Sequence, residues 1–153
     1  MPAEISCVVP DASGRWLVAL LEEPELRVLD AATGEQLSQI DVEVEGGVPT
    51  QRPNPVAPKT VVAGDGRPVT VHALPSLELL ATYEHDVPNV FQHQVWSDRG
   101  DALLLPFPDV VRVITDDQTL EIPYAAEPSA YRGVGAIDER RLLLVVTADE
   151  LQV

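Results

Sequence analysis

Residues 11–41 read DASGRWLVALLEEPELRVLDAATGEQLSQID, and this stretch decides the fold. A polar turn containing Asp11, Ser13 and Gly14 leads into an apolar run, 16–21. A break at Glu22, Glu23 and Pro24 is followed by Leu26, Arg27, Val28 and Leu29, which alternate apolar with polar before closing on Leu29. A third turn, Asp30 to Gly34, precedes a short alternating run over 36–40. Strand-sized segments joined by Gly, Asp and Pro turn chemistry predict a β-meander. A helix would place Leu17, Leu20 and Leu21 on one face, but it would enclose Pro24 and run into Gly34. An interior proline costs a helix roughly 3 kcal/mol.

The same plan recurs along the chain. Taking Leu26, Arg27 and Val28 as a marker, the counterparts are Val69, Thr70 and Val71; Val111, Arg112 and Val113; and Leu151, Gln152 and Val153. Their last residues, 28, 71, 113 and 153, lie 43, 42 and 40 apart, within the spacing that marks propeller repeats. Four units follow, approximately 4–42, 48–84, 88–122 and 130–153. The first adds an inner strand over 5–9. The second is the most degenerate, because 48–58 holds four prolines and makes a poor inner strand. Its remaining strands are expected over 60–63, 68–73 and 79–84. The third has strands over 90–96, 102–105, 110–114 and 119–122, and the fourth over 131–137, 142–146 and 150–153. The connection 42–59 reads as a long, irregular, Pro-rich loop, of a length that tends to be functional or mobile.

Two segments carry a family resemblance. Trp96 to Leu103 (WSDRGDAL) resembles the inner strand, Asp-Gly turn and second strand of a WD-repeat or YVTN-type β-propeller, with His85 at the place of that family's loop histidine. Arg27 to Glu35 (RVLDAATGE) similarly resembles a third strand, its closing aspartate and the following turn, with Leu29 in place of the usual tryptophan. The resemblance implies an all-β fold of four-stranded antiparallel blades, generally used as a binding platform. The fourth unit ends where its third strand ends, so an outer strand is expected to be missing there. Leu151 and Val153 then stand at an edge that association, as a homodimer or in a larger assembly, would complete. A C-terminal fragment boundary explains the same feature.

Composition narrows the partners. The chain has 153 residues, 45% of them hydrophobic, enough for one domain with a sizeable core. Twenty-five acidic residues against 10 basic give a net charge of −15, a field that disfavours nucleic acid and anionic membranes and favours a basic protein. Solubility alone is the simpler reading of that charge. No apolar run approaches the ~20 residues of a membrane span, and residues 1–5 lack the pattern of a leader, so a cytoplasmic location is expected. A single cysteine, Cys7, excludes an intrachain disulfide; its apolar surroundings predict a buried, inert thiol.

No catalytic constellation stands out. His85, Asp86 and His93 match no compact metal-ligand pattern, and His72 falls on a strand. No serine has a nucleophile-elbow context. Gly64, Asp65 and Gly66 are too short for a phosphate loop and precede Arg67 and Pro68. Gly133 and Gly135 suit close strand packing. Neither a cofactor nor a metal is expected.

The loops are more informative. In a propeller frame, the loops between second and third strands carry Glu22, Glu23, Phe107, Asp65, Asp109 and Asp149. The connections between units carry Glu43, Glu45, Glu84, Asp86 and Glu127. That face would gather ten carboxylates against Arg52, Lys59 and Arg67. Phe107 stands between two prolines, either as a rigid apolar hot spot in acid surroundings or folded inward as a core cap. The partner-binding candidates are therefore Glu22, Glu23, Asp65, Glu84, Asp86, Phe107, Asp109 and Asp149. The expected function is non-catalytic protein–protein interaction within a homo- or hetero-oligomer. A narrower version is an acidic inhibitor or immunity-type protein that neutralises a basic toxin or nuclease. The competing class is a propeller hydrolase or lactonase with an axial metal site, which would need converging carboxylates or histidines on the inner strands.

Overall fold

A computed structural model describes residues 4–22, 25–42, 49–64, 67–84, 94–107, 109–123, 131–137, 142–147 and 151–152; for the last three segments it describes the backbone only. The chain divides into two units, 1–86 and 87–153. The first holds two four-stranded antiparallel sheets. One is β1 (Ile5–Pro10), β2 (Trp16–Leu21), β3 (Glu25–Asp30) and β4 (Gln36–Asp41); the other is β5 (Thr50–Pro53), β6 (Lys59–Ala63), β7 (Val69–Ala73) and β8 (Leu79–Tyr83). In the second unit, β9 (Val95–Trp96), β10 (Leu103–Pro106), β11 (Val110–Ile114) and β12 (Thr119–Pro123) form a third four-stranded sheet. β13 (Tyr131–Ile137), β14 (Leu142–Thr147) and β15 (Leu151–Gln152) form a three-stranded one. Within every sheet the strands are ordered as in the chain, so each is a meander.

The second strands of the four-stranded sheets explain the continuous apolar runs. Val18, Ala19, Leu20 and Leu21 in β2, Val61, Val62 and Ala63 in β6, and Leu103, Leu104 and Leu105 in β10 are all buried. A strand covered on both faces has no polar alternation to show. Burial falls toward the outer strands, and all five residues of β12 are exposed. In the first unit Val18, Leu20, Leu26, Val28, Val42, Val62, Leu74 and Leu77 form one cluster, with Trp16 and Ile40 packed against it. Each such side chain contributes roughly 1.5–3 kcal/mol on burial.

Register supports the repeat. Val28 pairs with Val18, Val71 with Val61, and Val113 with Leu104, so the three marker residues occupy one structural position. The inner hairpins repeat as well. The amides of Asp11, Asn54 and Ser97, spaced by 43 residues, donate to the carbonyls of Trp16, Lys59 and Ala102 at 2.9, 2.8 and 2.9 Å. All three residues are buried and cap the turn with a side chain. Asp11 accepts from the amides of Ser13 and Trp16, both at 3.0 Å. Asn54 accepts from Val56 and Ala57 at 2.9 and 2.8 Å. Ser97 accepts from Ala102 at 3.1 Å. Three different short polar residues thus satisfy one local geometry, each by accepting backbone N–H groups.

Two expectations need correction. The interval 42–59 is not one irregular loop: β5 occupies Thr50–Pro53 and pairs with β6 over four residues. Its one proline, Pro53, is tolerated because β5 is an edge strand of its sheet, where a missing N–H that faces away from β6 costs no ladder bond. Cys7 is exposed, not buried. β1 is also an edge strand, and Ile5, Ser6, Cys7 and Val8 are all exposed along it, so an apolar sequence there does not bring burial.

Candidate functional site

The expected loop residues are placed unevenly. Glu22 is exposed just after β2, with its amide held by the Glu4 carbonyl at 3.0 Å. Glu84 is exposed at the end of β8. Asp109 is exposed in the turn between β10 and β11, which closes through the Phe107 amide to the Val110 carbonyl at 2.8 Å. Glu22 and Glu84 belong to the first unit and Asp109 to the second. Glu23, Asp65, Asp86, Asp149 and Val153 lie outside the described residues, as do His85 and His93. Leu151 lies in β15, paired with Val146.

Phe107 is half-buried, and its ring lies under the Arg112 guanidinium, 4.6 Å from the carbon to the ring centroid. Arg112 in turn donates from Nη2 and Nε to Glu121 Oε1 at 2.9 and 3.2 Å. A guanidinium over an aromatic face is stabilised by the ring quadrupole. Phe107, Arg112 and Glu121 therefore form a connected row from the β10–β11 turn across β11 to β12. Arg112 and Glu121 were legible as cross-strand partners only once the β11–β12 register was known.

Other polar side chains are occupied structurally. On β7, His72 is buried; Nδ1 lies 3.1 Å from the Leu77 carbonyl and Nε2 2.9 Å from the Thr70 hydroxyl. Burial holds its pKa below the usual histidine value and the positive charge of Arg67 adds to this, while the Leu77 carbonyl opposes it. The neutral ring therefore donates from Nδ1 to Leu77 and accepts at Nε2 from Thr70. Gln51, buried on β5, donates to the Val18 carbonyl on β2 at 3.3 Å and accepts from the Thr60 hydroxyl at 3.5 Å. Gln94, 43 residues further on, is buried too. Among the described residues no three His, Cys, Asp or Glu side chains gather as a metal-binding group, and no helix is long and apolar enough to cross a membrane.

Sheet order, register and the repeated inner turn define an all-β fold of the β-propeller type. Among solved structures, the β-propeller domain of Cps50 (Swd1) from Myceliophteria thermophila matches with a TM-score of 0.69 and 17% sequence identity, over 94% of this chain. The chain spans 50% of the length of that domain. No family model matches the sequence, and no curated protein does.

Proposed function

We propose that this chain is a non-catalytic protein-interaction module of the WD-repeat or YVTN type, which offers acidic loops to a basic protein. The observation that carries this reading is the exposure of Glu22, Glu84 and Asp109 on loops beyond the strands, in a chain of net charge −15. Exposed carboxylates steer a cationic partner and set its orientation more than they add raw affinity. Glu23, Asp65, Asp86 and Asp149 extend the same acidic set in the sequence, and Phe107 supplies apolar contact in the turn that carries Asp109. The module works as part of a homodimer or with another chain, in the cytoplasm. An acidic inhibitor of a basic toxin or nuclease is the narrower form of this function.

Calorimetric titration of a panel of small basic proteins tests the reading, together with native mass measurement. Replacing both Glu22 and Asp109 by lysine should weaken any partner found, mainly through its association rate and most strongly at low salt. Unchanged affinity in the double variant would remove the acidic loops from the interface.

A further inference from the structure

The outer strands of the three four-stranded sheets differ in one respect. β4 is offset from β3 by a bulge between Val28 and Leu29, and β8 from β7 by a bulge between Val71 and His72. β12 pairs with β11 through five consecutive residues with no break, from Ile114 with Thr119 to Val110 with Pro123. Bulges, lysines and prolines are the devices that blunt a sheet edge. β12 carries no lysine and no bulge; of the blunting devices it has Pro123 at the far end and the charge of Glu121. Every residue of β12 is exposed, including Leu120 at 47% and Ile122 at 38%.

The backbone groups it presents follow from the turn. Thr115 and Gln118 close the hairpin, the Thr115 amide donating to the Gln118 carbonyl at 2.9 Å. Bonded pairs alternate along an antiparallel ladder. Leu120 and Ile122 therefore direct their backbone groups at β11, and Thr119 and Glu121 direct theirs outward. Pro123 offers outward only a carbonyl, which limits the run. The surroundings are acidic: Asp116 and Asp117 are exposed at the hairpin tip, and the Glu121 side chain is 58% exposed although it accepts from Arg112.

We propose that the edge of β12, which pairs with no further strand among the described residues, receives an extended basic segment of another protein as an added strand. Its lysines or arginines meet Asp116, Asp117 and Glu121, and its alternate apolar side chains cover Leu120 and Ile122. Main-chain bonds to Thr119 and Glu121 supply the pairing, and the alternation supplies the selectivity. A second copy of this chain is the poorer occupant, because β12 set against β12 brings like charges together across the strands. The inference rests on the proposed basic partner and assigns it a place.

The test is nuclear magnetic resonance titration of the full chain with a capped peptide alternating lysine and valine, and with a capped oligolysine of equal length. The alternating peptide should shift the amides of Thr119 and Glu121 and bind more tightly than oligolysine. Glu121→Pro removes an outward donor without touching a β11–β12 bond, and Leu120→Lys reads the same edge through a side chain and keeps the backbone. Each should weaken the peptide by roughly tenfold or more, a difference of about 1.4 kcal/mol. Failure of the peptide to bind at millimolar concentration, or equal binding to wild type and both variants, would overturn the proposal. Shifts confined to the surroundings of Glu22 and Asp109 would also overturn it, while leaving the acidic-loop reading intact. A peptide that still pairs with β12 in the Glu22 and Asp109 double-lysine variant would separate the two in the opposite direction.

Discussion

Leu77 holds the same left-handed backbone position in the second sheet that Gly34 holds in the first, at φ values of 60° and 73°. The residues are 43 apart, and their amides make the same bond, Gly34 to the Asp30 carbonyl and Leu77 to that of Ala73, both at 2.8 Å. Glycine takes this conformation without strain; a branched side chain does so at a cost of roughly 1–2 kcal/mol. What holds Leu77 there is its side chain, which is 4% exposed and joins the cluster containing Val18, Leu20 and Leu26 of the first sheet. The β7–β8 turn also accepts the Ser38 hydroxyl at the Pro75 carbonyl, so it serves as a contact between the two sheets of this unit.

This makes an inverted substitution order. Leu77→Ala removes the packing and keeps the strain, whereas Leu77→Gly removes both. Leu77→Gly should therefore be the milder change, by about 1 kcal/mol, although glycine is elsewhere the worse residue. Both should destabilise relative to wild type, since an emptied leucine site costs about 2–5 kcal/mol. Urea unfolding of the three proteins measures the order, and Leu77→Ala proving the more stable variant would contradict it.

Gly34 supplies the complementary case. A Cβ added there meets nothing within 4 Å, so Gly34→Ala carries backbone strain and no clash. A loss of about 1 kcal/mol is expected. A loss several times larger would mean that the turn itself, and not one residue's conformation, had failed.

The turns and strands of this protein were legible because they follow local rules. Gly14, Gly34 and Gly100 announce positive φ, and the apolar runs 16–21 and 102–105 announce strands close to their actual places. The spacing of Val28, Val71 and Val113 anticipated one structural position, which the strand register supports. What escaped is whatever depends on a neighbour distant in sequence. Leu77 looks like an ordinary turn residue until the first sheet covers it. Gln51 looks like a polar loop residue until Val18 offers its carbonyl. Cys7 has the composition of a core position but lies on an edge strand with an exposed row. The acidic loop residues were readable as charges, but which strand edge stays open depends on bulges, and no residue type marks those.

Cys7 gives a direct chemical check. An exposed thiol on β1 should react fully with a disulfide reagent in the native protein, without denaturant. Protection released only on unfolding would restore the buried reading. The Gln51 amide, 3.9 Å from its sulfur, is too far for a strong hydrogen bond and should not slow the reaction greatly.

The pH response separates two kinds of group. At Asp11, burial pushes the pKa up, but hydrogen bonds from the Trp16 amide, the Ser13 hydroxyl and amide and the Arg15 amide together hold it below 3.8. At Asp30, the Thr33 amide and hydroxyl and the Ala32 amide lower it likewise. Their stabilisation is complete above the unfolded carboxylate value and is lost as pH falls through the lower folded one. His72 acts earlier. Its folded pKa lies below 6.5, so between those two values the unfolded chain binds a proton that the folded chain refuses, and stability falls as pH drops. His72→Asn places an amide donor near Nδ1 and cannot titrate. The urea midpoint of that variant should change less than wild type between about pH 7.5 and pH 5.5, the range in which histidine ionises. The acid limb set by Asp11 and Asp30 should remain in both proteins. Parallel midpoint curves across the histidine range would show that His72 is not the group that titrates there.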